Sequence, residues 1–239
     1  MRKMGNYIGH IPVGTGGDGT INGIFTMAQQ RISQGAGEWP YQQLFGVGTP
    51  TYFEGEGSMT LPTMEEGDTC YLLIGHDNGS ITLPTGWTEI QSWAAEGNGL
   101  LCYKVMGATP DTTVTIHVAA GSSNDPCVSM AVGIKRVGTP VSTSAETTGG
   151  SGMPDPPSLP TWTEEGMFLI AGVLDDDRVS SVSAPAGFTM IGSAYYGDSE
   201  EGATIMMAYA FVDTSTSPDA FGGGGNDFWW AVSVRVYPV

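Results

Sequence analysis

Few residues in this 239-residue chain are of the types that catalysis or metal binding uses, and those few are widely spaced. The three histidines are His10, His76 and His117, and no H-x-H or H-E-x-x-H spacing joins any two of them. The three cysteines, Cys70, Cys102 and Cys127, contain no C-x-x-C pair. A serine-hydrolase elbow needs G-x-S-x-G, and none occurs. Gly14-Thr15-Gly16-Gly17-Asp18-Gly19 partly matches a phosphate cradle. It has no apolar strand before it and no Lys-Ser/Thr after it, so it reads as a loop. Gly222-Gly223-Gly224-Gly225-Asn226-Asp227 reads as a flexible loop by the same logic.

Carboxylates are the one plentiful reactive class. Asp175, Asp176, Asp177, Glu200 and Glu201 could in principle supply the acid–base pair of a glycosidase. They fall on expected loop tips, where a solvated face is the simpler reading, so no catalytic residue and no cofactor are assigned. Asp175, Asp176 and Asp177 are also weak calcium candidates by their oxygen chemistry, although the D-x-[DN]-x-[DN]-G pattern is missing. Trp87, Trp93, Trp162, Phe228, Trp229 and Trp230 could stack on sugars, but aromatic residues in β proteins mostly fill cores. Adjacent strand residues point to opposite faces. One of Trp229 and Trp230 is therefore expected to leave the core, covered by the N-terminal segment, a partner or a ligand.

Charge narrows the partners. Eight Lys and Arg against 25 Asp and Glu give a formal net charge of -17. Arg2-Lys3 and Lys135-Arg136 are the only adjacent basic pairs, so nucleic acid is not an expected partner. The start, MRKMGNYIGHIPVG, lacks a signal-peptide apolar stretch, and the longest apolar run, Met167 to Leu174, is too short to span a bilayer. No export signal and no membrane insertion are expected. Buried free thiols in a reducing cytoplasm account for the odd cysteine count more simply than a Cys70–Cys102 bridge.

The elements that must position these residues come from an internal repeat. Glu66-Gly67 precedes the apolar run Cys70 to Ile74, and Glu165-Gly166 precedes Met167 to Ile170. Pro84-Thr85-Gly86-Trp87-Thr88 matches Pro185-Ala186-Gly187-Phe188-Thr189. Leu100 to Val105 matches Met206 to Phe211, and Val132 to Val137 matches Ala231 to Val236. The order is kept while the loops differ. With 36 Gly and 15 Pro between short apolar runs, the pattern predicts an all-β chain. The expected fold is an antiparallel, jelly-roll-like β-sandwich of about eight strands over residues 65–239. Its half-repeats are 65–140 and 161–239, and each covers the apolar face of the other. In each P-x-G-aromatic turn, proline sets φ and glycine permits positive φ, directing Trp87 or Phe188 into that shared core. The Thr/Ser/Gly/Pro-rich stretch from Gly138 to Pro160 reads as a crossing loop. Residues 1–64 read as an anchoring arm with a short helix near 26–34, with Trp39 and Tyr41 as its docking side chains. Strand character is expected at Thr51–Phe53 and Ser58–Leu61.

This duplicated pattern resembles β-sandwich modules in structural proteins of tailed bacteriophages. The elements that carry it are an E-G-x-apolar strand, P-x-G-W/F-T, L/M-x-x-Y and a terminal R-V strand. Gly23-Ile24-Phe25-Thr26-Met27 followed by Glu38-Trp39-Pro40 is similar to a short module near the start of other such proteins. The resemblance implies a non-enzymatic virion protein assembled in the host cytoplasm. A tail or fibre-associated appendage subunit for assembly or host adsorption comes first, and a capsid decoration protein second. Implied partners are other virion proteins, further copies of the chain in a homo-oligomer such as a trimer, and a host surface glycan. A carbohydrate-binding lectin or glycan hydrolase is the alternative from another class. Trp39, Tyr41, Trp229 and Trp230 are the candidate anchoring residues.

Overall fold

The computed structural model describes residues 43–77, 79–94, 98–118, 126–135, 137–162, 166–175, 178–197, 202–212 and 216–238. The first half carries β1 (Gln43–Val47), β2 (Thr51–Glu54), β3 (Glu56–Thr60), β4 (Thr69–His76), β5 (Ile81–Thr82), β6 (Thr88–Ala94), β7 (Asn98–Val105), β8 (Thr113–Val118) and β9 (Pro126–Lys135). The second carries β10 (Val137–Gly149), β11 (Gly166–Asp175), β12 (Thr189–Gly197), β13 (Gly202–Val212) and β14 (Trp229–Pro238). The described residues are all-β, and every pairing among these strands is antiparallel.

The first large sheet has the order β1-β9-β4-β7-β6, with β2 also on β9. The second has the order β10-β14-β11-β13-β12. The two orders are the same once β1 and β2 are matched to β10, β9 to β14, β4 to β11, β7 to β13 and β6 to β12. The repeat in the sequence is thus a repeat in topology. Within the first half the pairs are nested: β2 pairs with β9, β3 with β8, and β4 with β7. A small third sheet, β3-β8-β5, lies against the outer face of the first large sheet.

Three cores separate the layers. The central one joins the halves: Tyr71, Leu73, Leu101, Met130, Val132 and Ile134 of the first sheet meet Leu169, Val173, Ile205, Met207, Trp230 and Val232 of the second. Between the first sheet and the small one lie Leu72, Ile74, Cys102, Met59, Ile116 and Trp87. The outer face of the second sheet is covered by irregular chain, which packs Leu159, Trp162, Val179 and Phe221 on Phe168, Ile170, Met206 and Trp229. β4 and β11 are therefore buried on both faces along their whole lengths. That is why they read as unbroken apolar runs rather than as alternating strands. Each fully buried large aliphatic or aromatic side chain contributes about 1.5–3 kcal/mol.

The central layers meet closely at two glycines. Gly75 of β4 pairs directly with Gly99 of β7. A Cβ on Gly99 would sit 2.6 Å from the Trp230 ring, and one on Gly75 would sit 2.6 Å from Ile205 Cγ2. The paired glycines form a hollow in one half that receives side chains from the other.

Both P-x-G-aromatic segments are tight turns. Trp87 N–H donates to Pro84 O and Phe188 N–H donates to Pro185 O, each at 3.1 Å. Gly86 and Gly187 stand at φ 81° and 85°, the position that a type II turn reserves for glycine. Their aromatic residues enter the outer cores, Trp87 beneath the small sheet and Phe188 on the outer face of the second sheet, not the core between the halves.

The observed architecture differs from the expectation in further respects. Among the described residues, eleven strands (β4 to β14) fall within 65–239 rather than about eight. The sandwich takes in residues from Gln43, because β1 and β2 pair with β9 and β3 pairs with β8. The stretch expected to be a crossing loop contains β10, which pairs with β14. Its Thr- and Ser-rich composition fits an edge strand with little burial. The helix near 26–34 lies outside the described residues.

Candidate functional site

The polar residues at the ends of β4 and β11 hold loops. His76 is 2% exposed, and its Nδ1 accepts a hydrogen bond from Gly79 N–H at 2.8 Å. Asp77 is buried, and its N–H donates to Pro126 O at 3.3 Å. In the second half Asp175 is 2% exposed and its N–H donates to Phe228 O at 2.9 Å. Val179 N–H donates to the Thr204 hydroxyl at 3.1 Å beside it. Asp175 is thus not on a solvated tip. Asp176, Asp177, Glu200 and Glu201 lie outside the described residues. Among the described residues no group of three or more His, Cys, Asp and Glu is placed to hold a metal ion.

The aromatic candidates are mostly interior. Trp87, Trp93 and Trp162 are buried. Trp229 and Trp230 do point to opposite faces, as strand geometry demands, but both faces are covered by the chain itself. Trp230 enters the central core and donates from Nε1 to Glu146 Oε2 at 2.7 Å. Trp229 lies under the outer cover and donates from Nε1 to Ser151 O at 2.9 Å. The sequence could not reveal a four-layer stack, in which both sides of a strand are interior. Trp39 and Tyr41 lie outside the described residues. The Gly222–Asp227 segment, expected to be a flexible loop, includes Gly223 and Gly225, which pack closely against Met153 and Val179.

Phe228 is 39% exposed, and a second patch of aromatic surface lies on β2 and β12. Tyr52 of β2 is 47% exposed, and its ring centroid is 5.6 Å from that of Tyr196 in β12. The pair straddles the seam between the halves. On the other face of β12, Arg178 donates to Tyr195 OH at 3.0 Å and its guanidinium lies 4.6 Å from that ring's centroid. The opposite seam is closed by polar contacts instead. Gln91 donates to the Ser144 hydroxyl at 3.3 Å, and Tyr71 OH donates to Pro140 O at 2.6 Å. Tyrosines on a rigid edge offer flat apolar area with a hydroxyl at the rim, suited to contact with a protein or a sugar. The adjacent pair Tyr195-Tyr196 was the available signal, since one must face each side of its strand.

The thiols are deeply interior and free. Burial pushes Cys70 up to about 12, with a smaller contribution from Asp111. It raises Cys102 and Cys127 as well. A thiol held protonated is a poor nucleophile and a poor metal ligand. Near the surface, Lys104 pairs with Asp111 at 2.5 Å and Lys135 with Glu65 at 3.2 Å, and His117 Nδ1 lies 2.9 Å from Glu56 Oε2. Comparison with protein families, with curated proteins and with solved structures found no match.

Proposed function

We propose that this chain is a non-enzymatic structural subunit of a tailed-phage particle, most simply a tail or fibre-associated appendage. The observation that carries the reading is the nested pairing of the first half: β2 with β9, β3 with β8, and β4 with β7. Pairing of early strands with late ones across two sheets supports a jelly-roll-like reading, an architecture used in viral capsid and lectin domains. The two halves stack on a shared core, and their edges and loops are left for contacts. Further copies of the chain, neighbouring virion proteins and a host glycan are the partners in this reading, and residues 1–42 supply the anchoring segment. Immunogold labelling of intact particles with an antibody to the sandwich is the test. Labelling at the tail or its fibres supports the appendage. Labelling over the head points to capsid decoration, and unlabelled particles overturn the virion reading.

The Tyr52–Tyr196 pair, exposed at Tyr52 and half-buried at Tyr196, favours carbohydrate binding as a second reading. A glycan array probed with the intact chain and with Tyr52→Ala tests it. Signals that disappear in the variant support a lectin surface, and an empty array removes it.

A further inference from the structure

We infer that the irregular cover on the outer face of the second sheet opens as a unit of its own while the rest of the stack stays folded. The two halves treat equivalent faces differently. In the first half, Glu56–Thr60 pairs residue by residue with Thr113–His117, and Ile81-Thr82 pairs with Val118-His117. In the second half, the corresponding layer forms no paired strands among the described residues; Ser183 bridges Gly222, and Phe221 N–H donates to Pro154 O. The sequence explains the loss. Pro154, Pro156, Pro157 and Pro160 have no N–H to give to a ladder, and the run Gly222 to Gly225 has no side chains with which to pack one.

Side chains hold the cover in place of a ladder. Ser233 Oγ donates to Pro157 O at 2.6 Å, and the Ser158 and Ser217 hydroxyls are 2.8 Å apart. Trp162 meets Phe168 edge-on at 5.5 Å, and the Arg235 guanidinium lies 4.6 Å from the Trp162 ring centroid. None of Leu159, Trp162, Val179 or Phe221 belongs to the central core or to the core under the small sheet. Lifting the cover therefore leaves the contact between the halves intact. A layer with few ladder bonds, docked on one face, is the kind of unit that opens below the global unfolding threshold.

Native-state hydrogen exchange on the full chain, followed by NMR at several low urea concentrations, tests this. The amides of Phe221, Gly222 and Ser183 report the cover. Those of Leu61 and Val118, which donate to Thr112 O and Gly55 O, report the small sheet. The cover amides should exchange together and at least about tenfold faster than the small-sheet amides. Ser233→Ala should speed the three cover amides further and leave Leu61 and Val118 unchanged. Cover amides that exchange only as fast as the central strands, with the same urea dependence, would overturn the inference. So would three cover amides that respond to Ser233→Ala independently of one another.

Discussion

Trp230 and Gly99 sit in different halves of the chain and touch, so their substitutions should be coupled. Trp230 is fully buried in the central core. Truncation to alanine removes a large aromatic side chain and leaves a cavity between the sheets, at a cost of about 3–5 kcal/mol. With a urea m-value of about 2 kcal/mol/M, the unfolding midpoint should fall by about 1.5–2.5 M. Gly99→Ala is the complementary change. Its new Cβ would meet the Trp230 ring at 2.6 Å, well inside contact distance, and the ring is wedged between sheets. Overpacking of this kind costs about 1–3 kcal/mol. Once Trp230 is alanine, the obstacle is gone, and Gly99→Ala should cost almost nothing. The double-mutant cycle, measured by urea unfolding of all four proteins, should therefore give a coupling of about 1–3 kcal/mol. If the two single effects add to within about 0.5 kcal/mol, the halves do not meet at this point and the packing described for the central core is wrong.

Further outcomes follow from the turns, the thiols and the surface. Gly187→Ala should lower stability by about 1–2 kcal/mol in thermal or urea unfolding, because φ is 85° there. Nothing lies within 4 Å of the added methyl, so the whole cost is backbone strain. In the folded protein Cys70, Cys102 and Cys127 should resist a thiol reagent at neutral pH, and all three should react in denaturant. Cys70 titrates near 9.0 when unfolded and near 12 when folded, so the native state binds more protons between those values. This thiol should accordingly leave stability unchanged below about pH 9 and lower it, at up to about 1.4 kcal/mol per pH unit, as pH rises toward 12. Asp111→Ala should cost less than about 1 kcal/mol, because the Lys104–Asp111 pair is partly exposed, and salt should reduce the effect.

Much of the fold was legible where residues are chemically constrained. The P-x-G-aromatic pairs were readable because only glycine tolerates positive φ after proline in such a turn. Cys70–Ile74 and Met167–Leu174 were readable as strands because they are too short and too apolar for any exposed element. Their doubly buried faces, however, meant that no polar residue marked a second core, and a two-layer sandwich was the natural misreading of a stack with more layers. β10 was missed because an edge strand needs little apolar content, and its Thr and Ser residues look the same in a loop. The small sheet of the first half could be anticipated from the alternation of Thr112 to Val118. Its counterpart, eroded by Pro154 to Pro160, carried no alternation at all.

The candidate site was less accessible. Neither Tyr52 nor Tyr196 has a neighbour in sequence that announces the other, since they come together only when β2 and β12 meet at the seam. Asp175 looked solvated because it borders a run of acids, whereas it is the buried last residue of β11. Trp229 and Trp230 obeyed the alternation rule, but the rule could not say that both sides were already occupied.

The central claim is that the two halves are stacked sheet on sheet through a common core. Cross-linking of the full-length Gln91→Cys, Ser144→Cys variant with a short bismaleimide tests it most directly, because Gln91 of β6 and Ser144 of β10 touch at 3.3 Å across the halves and the native thiols are buried. Monomeric protein should yield a peptide linking positions 91 and 144. Separate, singly labelled cysteines at both positions, with no such peptide, would contradict the account.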